Sequence, residues 1–293
     1  GPGGAGHYVK MVHNGIEYGD MELIAEAYSM LKKRTGLDND GLGDIFELWN
    51  RGELNSFLIE ITSHILHYKE ENGDYLLDHI LDVAGQKGTG KWSVMAALDE
   101  GDPLTLVSEA VFARFMSSLV NERERASVQY PSGKVGDMEA CITLNTSGIE
   151  AVRDALYAAK LISYAQGFSL MRRASERNGW NLDYGTIAKI WRKGCIIRSV
   201  FLERITQAFT KSPGLQNLLF DAFFHERMEN ALPAFLPEGK LLPFLRVNSL
   251  SVNAGVKDCY APGEAEETAK ETLAALLQGT AEGMRSAVTA TAT

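Results

Sequence analysis

Residues 1–20, GPGGAGHYVKMVHNGIEYGD, decide how this chain is read. A glycine-rich entry leads into a run in which Lys10, His13, Asn14 and Glu17 follow one another at helical spacings. At about 100° per residue these four side chains share one face of an α-helix. Val9, Val12 and Ile16 take the opposite face, which is apolar and suited to a core. An amine, an imidazole, an amide and a carboxylic acid on one stripe would suit proton transfer beside an anionic substrate. The same stripe also fits the solvated face of an amphipathic helix, and spacing leaves both readings open.

Outward from this stretch the pattern stays helical. Residues 7–34 read as one long helix, with Ile24, Ala27 and Leu31 on its apolar side. Helices follow over 41–49, 54–70, 92–100 and 103–121, the last with Pro103 suited to a first turn. Residues 146–178 form a second long pattern that Ser147 could cap, and 184–211 and 213–230 complete the set. YLLDHILDVA, residues 75–84, also reads better as helix than as strand. Strand signals are sparse, and no alternation of strands and helices would build a parallel sheet. The fold class is therefore all-α, with no nucleotide-binding βαβ unit and no glycine fingerprint of that kind.

The 293 residues suffice for one large domain or two modest ones. With 29 basic and 38 acidic residues the net charge is −9, which argues against non-specific nucleic-acid binding but leaves room for a local phosphate pocket. No apolar run reaches the length of a membrane span, and no signal peptide is visible. Cys141, Cys195 and Cys259 are widely spaced and odd in number, so reduced thiols in a cytoplasmic protein are the simpler reading. The chain opens at Gly1 without an initiator Met, as a fragment or processed product would.

GQKGTGKW, residues 85–92, nearly satisfies the phosphate-loop pattern, but Trp92 stands where a hydroxyl should be. Its glycines would still let backbone amides, Lys87 and Thr89 approach an anion; the plainer reading is a turn between helices. Arg114, within AVFARFMSSL, could snorkel from an apolar helix or pair structurally. His64 and His67 are three apart with no third ligand evident, so a metal is not expected. Cys195 reads as a buried small residue rather than a nucleophile.

The string GAGHYVKMVHNGIEYGDM closely resembles the opening of the helical domain of 6-phosphogluconate dehydrogenases. ELWNRGELNSFLIEIT, LLDHILDVAGQKGTGKW, ISYAQGFSLMR and WRKGCIIRSVFL extend the resemblance, in the family's order, to about residue 230. It implies a helical domain that forms a homodimer, with NADP as cofactor and 6-phosphogluconate as substrate in the pentose phosphate pathway. By resemblance, Lys10 would take a proton from the hydroxyl at carbon 3 while hydride leaves to NADP. After carbon dioxide is lost, Glu17 would protonate the enediol at carbon 1 to give ribulose 5-phosphate. His13 and Asn14 would orient the substrate. Lys87, Thr89, Tyr18 and Arg114 would meet its phosphate, the last through the guanidinium fork. Arg198 lies in a family-like string but reads as part of a structural ion pair. A lysine that accepts a proton must itself be neutral, and an acid must hold its proton, which burial favours.

Two departures stand beside the resemblance. The family's dinucleotide-binding domain is not found in this sequence, and with it goes the main cofactor site. Beyond about Met228 the chain leaves the family pattern, and the Arg and His of the family's tail are not found in its Ala/Thr-rich ending. The chain is accordingly divided into a helical catalytic and dimerisation domain, 1–230, and a divergent, partly irregular segment, 231–293, with a possible helix over 264–278. Weak substrate binding with little or no turnover is expected of this chain alone. The alternative is a helical dimerisation module without catalysis.

Overall fold

The computed structural model describes residues 1–130 and 144–235. Among them no strand occurs, only two isolated bridges, Ser56 with Ser199 and Lys69 with Tyr75. The helices are α1 (Ala5–Thr35), α2 (Asn39–Asn50), α3 (Phe57–His67), α4 (Thr89–Glu100), α5 (Thr105–Ser118), α6 (Val120–Gln129), α7 (Thr146–Asn178), α8 (Tyr184–Trp191), α9 (Phe201–Lys211) and α10 (Ala222–Phe235). The core lies where α1 packs on α7, flanked by α4 and α5, with α2 paired to α3 and α8 to α9. This is the all-α class read from the sequence, and the long helices predicted over 7–34 and 146–178 are its two central rods.

Small residues set how close these rods come. A Cβ on Gly19 of α1 would lie 2.1 Å from Leu106 Cδ2 and 3.0 Å from Ser163 Oγ, so the missing side chain is what admits α5 and α7. At the same level Lys160 of α7 and Asp20 of α1 are wholly enclosed, with Nζ donating to Oδ2 at 2.8 Å. Burial pushes the Asp20 carboxyl up, and the Lys160 ammonium pulls it back down.

Several boundaries differ from the sequence reading. The helix predicted over 184–211 breaks between α8 and α9. Gly194 there takes φ +71°, and the backbone bonds instead to the α2–α3 connection, Phe57 N to Arg198 O and Val200 N to Asn55 O, both at 3.1 Å. Tertiary hydrogen bonds thus replace a helical turn that local propensity favours. Of residues 75–84 only Leu76–His79 turn, as a 3₁₀ segment; Tyr68 O and Lys69 hold the start of this stretch in a bridge. The helix predicted over 103–121 stops at Ser118, leaving Pro103 outside it, and a separate α6 follows. Over 213–230, a 3₁₀ segment Leu218–Phe220 precedes α10. The cap of α7 is Asn145, whose side chain accepts from Gly148 N, so Ser147 lies inside the helix. Cys141, Cys259 and the helix predicted over 264–278 lie outside the described residues.

Replacing Lys160 by Met should strand Asp20 in the core and cost about 3–5 kcal/mol in urea denaturation, whereas Lys160→Met with Asp20→Leu should recover most of that loss.

Candidate active site

The N-terminal half of α1 carries a polar stripe, but not a solvated one. His13 is 1 % exposed, Asn14 and Glu17 are half-buried, and Lys10 alone reaches solvent. Val12 and Ile16 are buried on the opposite side as predicted. His13 is covered because Trp191 folds over it. The His13 and Trp191 rings meet edge-on, 5.5 Å between centroids.

Within the stripe the side chains touch. Lys10 Nζ lies 3.2 Å from His13 Nδ1, and Asn14 Oδ1 lies 3.1 Å from the same nitrogen. Nδ1 can serve one of these at a time, accepting from Lys10 or donating to Asn14. His13 Nε2 is buried without a partner. Burial, with the Lys10 cation beside it, lowers the imidazole from 6.5 to about 4, so His13 is neutral at physiological pH. Glu17, one turn on, is shifted the other way. Burial raises its carboxyl despite the pull of Lys10 and Arg114, and Asp20 adds to the rise. A carboxyl whose proton affinity burial raises, one face along from an amine, is an arrangement that general acid–base chemistry can use.

The second half of the site comes from the α4–α5 side. Arg114 lies over the Tyr18 ring, its guanidinium carbon 3.5 Å from the centroid, and its Nη1 donates to Gly85 O at 3.0 Å. Gly90 of α4 abuts the same ring: a Cβ there would fall 2.5 Å from Tyr18 Cδ2. Ser93 Oγ donates to Met11 O at 2.9 Å and lies 3.1 Å from Thr89 O, which ties the start of α4 to α1. Thr89 is the first residue of α4, and its N-cap is Gly88 with φ +92° and no side-chain cap. The first-turn amides of this twelve-residue helix therefore have no side-chain cap. Lys87, just before it, is exposed and has no ion pair among the described residues. Nearby, burial and the Glu26 and Glu109 carboxylates hold Glu22 up to about 7.

Three contributors escaped the sequence reading. Gly90 and Ser93, three apart on α4, are the small residues that let it close on α1; that spacing was the available signal. Trp191 lies in the string WRKGCIIRSVFL, but nothing in the sequence says it covers His13. Arg198, predicted to form an ion pair, instead stacks on Phe57 at 3.7 Å and donates to Cys195 O. Cys195 is half-buried, its thiol donating to Trp191 O at 2.8 Å, and burial raises its pKa. His67 is engaged by Ser63 O and Asp44.

Residues 6–236 match the family described as 6-phosphogluconate dehydrogenase, C-terminal domain. The chain belongs to this family. The mouse enzyme "6-phosphogluconate dehydrogenase, decarboxylating" is 52% identical over 256 residues, which cover 87% of this chain and 50% of that protein. The human enzyme of the same name is 54% identical over 230 residues, 78% of this chain and 47% of its own length. A Plasmodium falciparum 6-phosphogluconate dehydrogenase, described in apo form and with NADP+ or 6-phosphogluconate, superposes with a TM-score of 0.78 at 39% identity; 89% of this chain and 57% of that one are covered. The chain thus spans about half the length of the relatives it matches. The described residues of this C-terminal-domain chain contain no strand, hence no strand–turn–helix cradle for a dinucleotide. No described helix is long and apolar enough to cross a membrane.

His13 should remain neutral in an NMR titration from pH 8 down to about 5 and gain its proton only near 4. Its folded value lies below the unfolded one, so the stability it supports is present above pH 6.5 and is lost as pH falls toward 4. A His13→Gln variant should flatten that part of the stability profile.

Proposed function

We propose that this chain supplies the substrate-binding and proton-transfer half of a 6-phosphogluconate dehydrogenase. That activity is the NADP-dependent oxidative decarboxylation of 6-phosphogluconate to ribulose 5-phosphate in the pentose phosphate pathway. The observation that carries the reading is the pairing on α1 of a Lys10–His13–Asn14 network with a half-buried Glu17, beside a helix start open to an anion.

In this reading Lys10 accepts the proton from the hydroxyl at carbon 3, and Glu17 delivers one to carbon 1 after carbon dioxide has left. His13 and Asn14 hold the sugar hydroxyls. A neutral His13 suits that role, because its ring can accept from a hydroxyl and adds no cation beside the ammonium that Lys10 becomes once it has taken the proton. Lys87, Thr89, Tyr18 and Arg114 face the phosphate, with the first-turn amides of α4 adding their partial positive charge. NADP, when bound, would supply the hydride acceptor, and it would be held mainly outside the residues described. Its lack of a cradle here fits the half-length match to the relatives.

Self-association as a homodimer is the partner reading. Phe112, Phe115, Met116 and Leu119, at the C-terminal end of α5, are exposed apolar side chains, as are Ile80, Leu81 and Val83. Exposed apolar side chains are also what a non-catalytic dimerisation module would need, so substrate binding is the discriminating measurement. A free thiol at Cys195 accords with a cytoplasmic, reducing compartment. Residues 1–230 would form the catalytic and dimerising unit, with 231–293 a divergent appendage.

Calorimetric titration of residues 1–293 with 6-phosphogluconate should give weak but measurable binding. Charged hydrogen bonds to phosphate contribute about 1.5–3 kcal/mol each, so Lys87→Ala combined with Arg114→Ala should weaken it by roughly a hundredfold or more. The chain alone should form NADPH barely or not at all. Binding untouched by the double substitution would remove the phosphate assignment, and no binding at all would favour the module.

A further inference from the structure

Helix α6 buries one side chain, and it is an arginine. Arg123 is 6 % exposed, on a helix whose other residues all lie at or near the surface. Its Nη1 donates to Asp82 Oδ2 at 2.6 Å and its Nη2 to Ser117 O at 2.8 Å. An apolar residue would fasten a surface helix with no charge to desolvate. A buried guanidinium is needed where something polar must be held at a fixed place, and what Arg123 holds is the segment leading into Lys87 and Thr89.

That segment has three tethers in four residues. Asp82 is bound by Arg123, the Ala84 amide donates to Ser117 Oγ at 3.0 Å, and Gly85 O accepts from Arg114. Ser117 is common to the first two, since its carbonyl accepts from Arg123 and its hydroxyl donates to Arg114 O at 2.8 Å. The ends of α5 and α6 thus grip residues 82–85 from one side. On the other side Gly90 seats on Tyr18. Lys87 sits between two fixed points, although its own side chain is exposed and unpaired.

We infer that Arg123 is a positioning residue: through Asp82 and Ser117 it fixes residues 82–85, and so sets where Lys87 and Thr89 meet an anion beside Arg114 and Tyr18. The inference rests on the reading of Lys87 and Thr89 as phosphate contacts. Arg123 itself has no place at the substrate.

The test uses residues 1–293 with Arg123→Met, Arg123→Lys, Asp82→Asn, Lys87→Ala and the pair Arg123→Met/Lys87→Ala. Affinity for 6-phosphogluconate is measured by calorimetry, and amide exchange over 80–88 by mass spectrometry. Arg123→Met should weaken binding roughly tenfold in the parent but less than about twofold in the Lys87→Ala background, since partners acting through one residue are not additive. Arg123→Lys should restore part of the loss, and residues 82–85 should exchange faster in Arg123→Met. An equal loss in both backgrounds, or unchanged exchange over 82–85, overturns the inference. If Arg123→Met fails to fold, Asp82→Asn, at a part-exposed carboxylate, carries the same two expectations. If the unsubstituted chain does not bind 6-phosphogluconate, the phosphate reading falls and the positioning role with it; exchange then still shows whether the strap itself exists.

Discussion

The close seating of α1 against α4, α5 and α7 is the constraint on which the rest depends. It exists because α1 lacks side chains at Gly15 and Gly19, where a Cβ would come within 3 Å of Ser93 Oγ and of Leu106 Cδ2. Gly167 returns the favour from α7, its missing Cβ filled by Ile16. With the backbones this near, there is no room for water between them. Every polar group at the seam must then find a protein partner or go without. Lys160 and Asp20 are the consequence: two charges enclosed together, each tolerable only because the other is there.

The same closeness gives α1 its chemistry. A lone amphipathic helix would leave the stripe in water, with His13 and Glu17 at ordinary proton affinities. Here Trp191 covers the imidazole, burial lowers His13 and raises Glu17, and Asp20 one turn away reinforces the latter. Two opposite shifts on one helix face arise from one cause, loss of solvent, acting on a base and on an acid.

On the far side, a guanidinium seated over a phenol ring joins α5 to α1, and the loop before α4 is tied to the same arginine. Arg114 therefore has three neighbours already, the Tyr18 ring, Gly85 O and Met21 Sδ. Contacts of this kind hold a long side chain in one place and lower the ordering entropy that any further contact of its guanidinium would cost.

The amino-acid sequence by itself determined the helical class, the two central rods and the face on which Lys10, His13, Asn14 and Glu17 fall. Those follow from periodicity, which depends only on neighbours a turn apart. The family strings identified the chain's relatives, because they preserve residue order over long stretches. What only the tertiary structure decided were contacts between residues far apart in sequence. The turn at 192–200 opens because residues 55–57 supply better hydrogen bonds than the next helical turn would. Arg198 stacks on Phe57 instead of pairing with an acid, and α6 stands on Arg123 because Asp82 happens to lie beneath it. His13 is buried, not solvated, because Trp191 comes back over it from 178 positions further along the chain. No pattern on α1 carries that information, since burial is a property of what packs against a residue rather than of the residue itself.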